Sequence, residues 1–335
     1  MLMPSHFIDS TIGYGAMDTV LNNLPSSLVP TSSRPDRSSS TFPLVADQIK
    51  AKKHRSNISL GHYITKSLEH SWMQYTRRLD RYRQRKTNRH VHDLRIAIRR
   101  LAANLDALKI IAPDVHCHRA RSILKKQLKI LGALRDSHLQ TRRLKKFSRL
   151  TKDFKKLRHH LRDERAKLEH AFTKFQHDGN LAHRVAMLIE HIHVASETIA
   201  SNRIMRERVQ HKLHKRFLRV VRMQPRSVAN GRRLHSARIA LKQYCYLADV
   251  FSGYMHGMKG RGILRLKRHQ EITGELHDLQ IFIKRFKAWL AKKSSARKKR
   301  FRAANKSLRD QNAALSKAYV QSAGRLRGLG KRLEG

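Results

Sequence analysis

Acidic residues, cysteines, prolines and aromatics are all scarce in this chain, and each scarcity removes a class of protein. Cys117 and Cys245 are the only cysteines, so no disulfide framework holds a small extracellular scaffold together. No apolar run approaches the roughly 18–20 residues that span a bilayer. The N-terminus lacks a basic region followed by a continuous apolar stretch, so no secretory signal is expected. A cytoplasmic protein is the expectation. Phe, Trp and Tyr make up 6% of the chain, which limits the stacking platforms that single-stranded nucleic acid uses. Gly and Pro are sparse beyond residue 50, and no stretch alternates apolar with polar residues as a half-buried strand does. That leaves an all-α protein, rich in Ala, Leu, Lys, Arg and Gln.

What is abundant is positive charge. Lys and Arg number 73 against 24 acidic residues, a formal +49 over 335 residues. Self-repulsion on this scale opposes compaction, so a polyanionic partner is the economical explanation. The charge is unevenly placed. Residues 1 to about 55 form a Pro- and Ser-rich tail with disordered character. Its first 50 residues hold Arg34, Arg37 and Lys50 against Asp9, Asp18, Asp36 and Asp47. All the net positive charge therefore belongs to the part expected to fold.

From Ser59 onward the pattern is helical: 59–85, 89–112, 114–147, 150–177, 181–223, 227–252, 259–293 and 295–328. Asn88 as a cap, Pro113, Asp178–Asn180, Pro225–Gly231 and Gly253–Gly262 mark the breaks. The stretch running from His92 to Leu101 divides on a helical wheel. Val91, Leu94, Ala97, Ile98, Leu101, Leu105 and Leu108 fall on one side, and His92, Arg95 and Arg99 line up opposite. A solvated face gains i,i+4 pairing by mixing signs. This one sets cations in a row, where they repel unless an anion sits over them.

The stretch returns at a nearly constant offset of about 142 positions. His92-x-x-Arg95-Ile96-Ala97-Ile98-Arg99 reappears as His235-x-x-Arg238-Ile239-Ala240-Leu241-Lys242. Leu124-Lys125-Lys126 matches Leu266-Lys267-Arg268, and Gly132-Ala133-Leu134-Arg135-Asp136 matches Gly274-Glu275-Leu276-His277-Asp278. Leu234, Ala237, Leu241, Tyr244, Ala248 and Phe251 supply the second apolar stripe. The folded part is therefore a duplication: two helical units of about four helices each, 56–178 and 179–335, which pseudo-symmetry would set with their basic faces together in a lined channel or groove.

The doubled His-x-x-Arg-x-x-x-Arg/Lys helix, each copy followed by Gly-x-Leu-x-Asp, resembles the CHAD domain, the conserved histidine α-helical domain. The resemblance spans roughly residues 60–330. It implies an all-α pair of pseudo-symmetric four-helix bundles around a basic central cavity that binds inorganic polyphosphate, with association to polyphosphate granules. Carried onto matching positions, it makes His92, Arg95, Arg99 and Arg100 with His235, Arg238 and Lys242 the phosphate-contacting candidates. Lys125, Lys126, Lys267 and Arg268 are weaker ones. Gln243 stands where a second basic residue follows in the pattern, and His277 replaces the counterpart of Arg135, so the second half is expected to grip less tightly. The Glu-x-Glu-x-Lys signature of the tunnel enzymes to which some family members are fused is absent.

Polyphosphate offers neither bases nor a hydrophobic handle, so recognition rests on charge-assisted hydrogen bonds and counterion release. Arg bridges oxygens bidentately, whereas Lys acts as a point charge. Among so many cations, His92 and His235 are expected to have depressed pKa values that a bound polyanion raises. Asp136 and Asp278 read as structural partners of nearby Arg or Lys. His116-Cys117-His118 and the paired histidines elsewhere lack metal-site spacing, so no metal is expected. With scattered carboxylates and no Gly-rich phosphate loop, neither catalysis nor a cofactor is expected. The competing reading is a non-specific nucleic-acid binder, since duplexes are polyanions too.

Overall fold

In the computed structural model the described residues are 59–147, 154–177, 181–196, 202–225, 231–252, 254, 261–292 and 294–334. The tail and the expected turns at 178–180, 226–230 and 255–260 lie outside them. The described part is helical throughout: α1 Leu60–Gln84, α2 Asn88–Ile111, α3 His118–Phe147, α4 Phe154–His177, α5 Leu181–Ser196, α6 Asn202–Met223, α7 Gly231–Phe251, α8 Arg261–Ala291, α9 Ser295–Arg300 and α10 Arg302–Glu334.

Local chemistry sets the ends. The Ser59 hydroxyl accepts from the His62 N–H at 3.1 Å and caps α1. Thr87, rather than the expected Asn88, caps α2, accepting from the His90 N–H at 3.1 Å. A Thr oxygen at this position satisfies a donor that the first helical turn leaves orphaned. It also releases the Asn88 side chain for a partner on α3. At the other end of α2, Ala112 follows the last turn, and Pro113 cannot continue it.

Of the expected 181–223 helix, the described parts are α5 and α6, and 197–201 lie outside the described residues. The expected 295–328 helix is divided at Phe301, whose φ of −100° and ψ of 5° leave the helical region. That ring is buried edge-on to Trp289 at 5.2 Å and to Phe286 at 6.1 Å. Seating the ring turns the chain into α10.

The expected apolar stripes are buried in full. Leu94, Ile98, Leu101, Leu105 and Leu108 on α2 are closed to solvent, as are Leu241 and Phe251 on α7. The α2 stripe and the α7 stripe from Leu241 onward enter one continuous core that runs from α1 to α7 and takes Leu266 from α8 and Leu326 from α10, while Leu234 packs in a separate cluster with Leu276, Tyr319 and Ala323. Within the first half α2 packs against α1 and α3, and α3 against α4; within the second, α7 packs against α6 and α8, and α8 against α10. The halves are joined where α2 meets α7 and α6, and where α8 meets α3. The expected boundary at 178/179 falls just before α5, which packs against α1 and α3.

A second apolar cluster staples the halves at another point. Leu144 of α3 and Leu161 of α4 meet Leu279, Phe282 and Phe286 of α8, with Phe301, Ala304 and Leu308. Beside it Arg285 of α8 donates to both carboxylate oxygens of Glu164 at 3.0 and 3.2 Å and to the Gln140 Oε1 at 2.9 Å. The helices that carry the repeated motif are thus fixed face to face.

Candidate functional site

The repeated helices α2 and α7 turn their cationic rows inward, toward each other. Arg95 is 1% exposed, Arg238 0%, Lys242 5% and Arg99 9%. His92 is half-buried beside them. Residues on one face of a helix recur every three or four positions, so Arg95 with Arg99 and Arg238 with Lys242 stack along the seam between the halves.

The following helices complete the surroundings. Arg95 donates from Nη1 to the Leu131 carbonyl of α3 at 2.8 Å. Arg135, also buried, donates from Nη1 to the Asn88 Oδ1 and, at 3.5 Å, to the Asn88 carbonyl. Asp136 follows it on α3, and Asp278 occupies the matching place on α8. The residue before it, His277, sets its ring 5.5 Å from that of His235.

The electrostatics follow from crowding cations where water is excluded. Burial, and then the guanidinium of Arg99, drive Arg95 far below its ordinary pKa; Asp136 opposes the shift, and Arg135 and Arg238 add to it. A guanidinium does not release its proton in proteins, so Arg95 stays charged at an energetic cost. Lys242 is likewise pushed down, by burial first and then by Arg238, Arg99 and Arg95, with Asp278 opposing. His92 is pushed down to about 3 by burial, Arg135, Arg95, Arg99 and Lys242. Asp278 is raised by burial and by the facing Asp136, against the pull of Arg238, Lys242 and Arg143. Cations from both halves therefore act on one another, with Asp136 and Asp278 opposing them.

Some donors in this cluster are left over. Arg99 Nη2 is buried with no hydrogen-bond partner among the described residues. An unmet buried donor carries a desolvation penalty that a ligand oxygen would relieve. Next to the cluster lies a small, shallow cleft lined by Asp136, Leu139, Gln140, Arg143, Asp278 and Ile281. Gln140 turns an unpartnered, buried Nε2 donor into this neighbourhood.

The other sequence-predicted residues stand elsewhere. Arg100 points around α2 to Asp249 of α7, where Lys267 of α8 also acts; together they oppose the rise that burial imposes on that carboxyl. Lys125, Lys126 and Arg268 are exposed, and Lys267 is half-buried. Sequence reasoning did not number Arg135 among the site residues. Its signal was present, since it sits inside the repeated Gly-x-Leu-x-Asp motif at the position of His277. Cys117, inside the His116–His118 run, is buried and donates to the Leu105 carbonyl at 3.6 Å, while both histidines are exposed. No helix among the described residues is long and apolar enough to cross a membrane.

The family model described as the CHAD domain matches residues 66–287. The fold is similar to the crystal structure of the CHAD domain from the plant Ricinus communis, with 19% identity and a TM-score of 0.59, over 79% of this chain and 92% of that one. It is also similar to PptA from Streptomyces chartreusis, with 16% identity and a TM-score of 0.51, over 81% and 99% of the respective chains. No curated protein matches the chain. With the repeated motif, the paired helical halves and a family match over most of the folded part, the chain belongs to the CHAD domain family, a family associated with polyphosphate.

Proposed function

We propose that this chain binds inorganic polyphosphate, without chemically transforming it, in the cationic cluster at the seam of its two halves. The binding would serve to target the protein to polyphosphate granules or to organise them. One observation carries the reading: Arg95, Arg99 and Arg135 from the first half and Arg238 and Lys242 from the second act on one another in a buried site. Family membership supports it.

The mechanism is electrostatic. The cations of the cluster repel one another, so a chain of phosphates relieves that repulsion as well as adding hydrogen bonds. Arg95, Arg99, Arg135 and Arg238 supply planar forks that bridge oxygens, and Lys242 supplies a point charge. His92, neutral in the empty site, takes up a proton when phosphate raises its pKa. Arg100 and Lys267 flank the cluster around Asp249, and Lys125, Lys126 and Arg268 add long-range attraction from the surface.

The test is a competition titration at near-physiological salt. Labelled long-chain polyphosphate is displaced by unlabelled polyphosphate, RNA or duplex DNA, for the wild type and for Arg95→Ala/Arg238→Ala. The expected result is a strong preference for polyphosphate that the double variant loses while its helicity persists. Equal displacement by nucleic acid, with the variant unaffected, would replace this reading with non-specific polyanion binding.

A further inference from the structure

A second basic feature lies away from the cluster, on the outer face of α6. Arg208, His211, Lys212, Lys215, Arg219 and Arg222 recur at three- and four-residue intervals and are all exposed. At about 100° per residue they fall on a single narrow stripe, about 21 Å long at 1.5 Å per residue. The opposite face of α6 buries Met205, Val209, Leu213, Phe217 and Val220. Phe217 lies 5.6 Å from Tyr244 of α7, which fixes the stripe outward.

Like charges three and four positions apart destabilise a helix, and surface helices usually intersperse the opposite sign. Here the nearest acidic residue, Glu207, lies off the stripe and is held by Arg203 at 3.3 Å. Among the described residues no stripe side chain enters a hydrogen bond or ion pair. Nor does the stripe belong to the seam: the charges acting on His92, Arg95 and Lys242 come from α2, α3, α7 and α8, none from α6.

We infer that the outer face of α6 is a second polyphosphate-binding surface, so that one molecule can hold two segments of polyphosphate and cross-link chains. The inference rests on the function proposed above. Apart from His211 the stripe is all Arg and Lys, with no Phe, Tyr or Trp for stacking and no amide to read a base edge. A single file of cations on a convex helix meets a thin single chain along its length, whereas a duplex spreads its charge over two strands. Two sites on one body also convert weak contacts into avidity on a long chain.

Calorimetric titration with polyphosphate too short to reach both sites tests this, using wild type, Lys212→Glu/Arg219→Glu and the milder Lys212→Gln/Arg219→Gln. All substituted side chains are exposed, and circular dichroism verifies that helicity is kept. The expected result is two binding events for wild type and one, of unchanged affinity, for the charge-reversed variant. Light scattering on mixing with long-chain polyphosphate should fall at least tenfold in that variant and partially in the Gln variant. Titrations and scattering identical to wild type in both variants would overturn the second surface and leave the seam site standing. Loss of duplex DNA or RNA binding alone, with polyphosphate binding intact, would overturn it in favour of a nucleic-acid face. Failure of the wild type to bind polyphosphate at all would instead overturn the proposed function, and this inference with it.

Discussion

His92 shows how one side chain couples charge, burial and ligand. Facing Arg95 and Arg99 from its own helix, Arg135 from α3 and Lys242 from α7, it is held neutral in the empty site. A polyanion reverses the sign of that environment and raises its pKa, so binding takes up protons and tightens as the pH falls. Affinity measured at pH 8, 7 and 6 should increase in that order for wild type. His92→Gln should flatten most of the dependence. A second consequence concerns folding. His92 is lowered to about 3, and His138 and His269 to about 4, in each case chiefly by burial. Their unfolded values lie near 6.5, so the unfolded chain binds more protons below that pH and native stability is lost as acid is added. At pH 5 each should cost about 1–2 kcal/mol relative to pH 7, measurable as a lower denaturant midpoint.

At the scale of elements, the packing around α10 is specified by few residues. Phe301 ends α9 by burying its ring against Phe286 and Trp289, so Phe301→Ala should cost about 3 kcal/mol or more, seen in thermal unfolding. Further along α10, the Tyr319 hydroxyl donates to the Gln224 Oε1 at 3.0 Å, and His269 of α8 contacts that oxygen from Nε2 and the Ser322 hydroxyl from Nδ1, each at 3.0 Å. The shared oxygen makes Nε2 the protonated nitrogen. Tyr319→Phe should cost about 1 kcal/mol and leave polyphosphate affinity unchanged, because the network lies away from the seam. The helices and their apolar stripes were legible from periodicity, since a stripe of Leu and Ile has no other use on a helix. The break at Phe301 was not, because nothing in local propensity marks a ring that leaves the helix to fill a distant gap.

At the scale of the whole molecule, duplication is the feature the sequence displayed most openly. Two copies of one motif at a constant offset imply two equivalent helices, and a pseudo-symmetric packing brings equivalent faces together. That reasoning led to Arg95, Arg99, Arg238 and Lys242, which the fold does bring together. It did not separate Arg100 from Arg99, although one residue turns a helix by about 100° and carries Arg100 round to Asp249. Nor did it distinguish Lys125 and Lys126 from Arg135, which lies about 14 Å further along α3 at 1.5 Å per residue. Which stretch of a long helix crosses the seam is set by tertiary packing, and a one-dimensional pattern does not contain it.

Lys242→Met tests most directly whether the buried cationic cluster is held at a cost that a polyanion relieves. Met keeps the unbranched shape of Lys242 and removes a charge repelled by Arg238, Arg99 and Arg95. Thermal unfolding of wild type and variant is compared with and without long-chain polyphosphate. The expected result is a variant more stable when empty, by about 1–2 kcal/mol, with a markedly smaller stabilisation by polyphosphate. A variant less stable when empty, yet stabilised by polyphosphate as much as wild type, would contradict the account: Lys242 would then be a structural residue and the ligand would bind elsewhere.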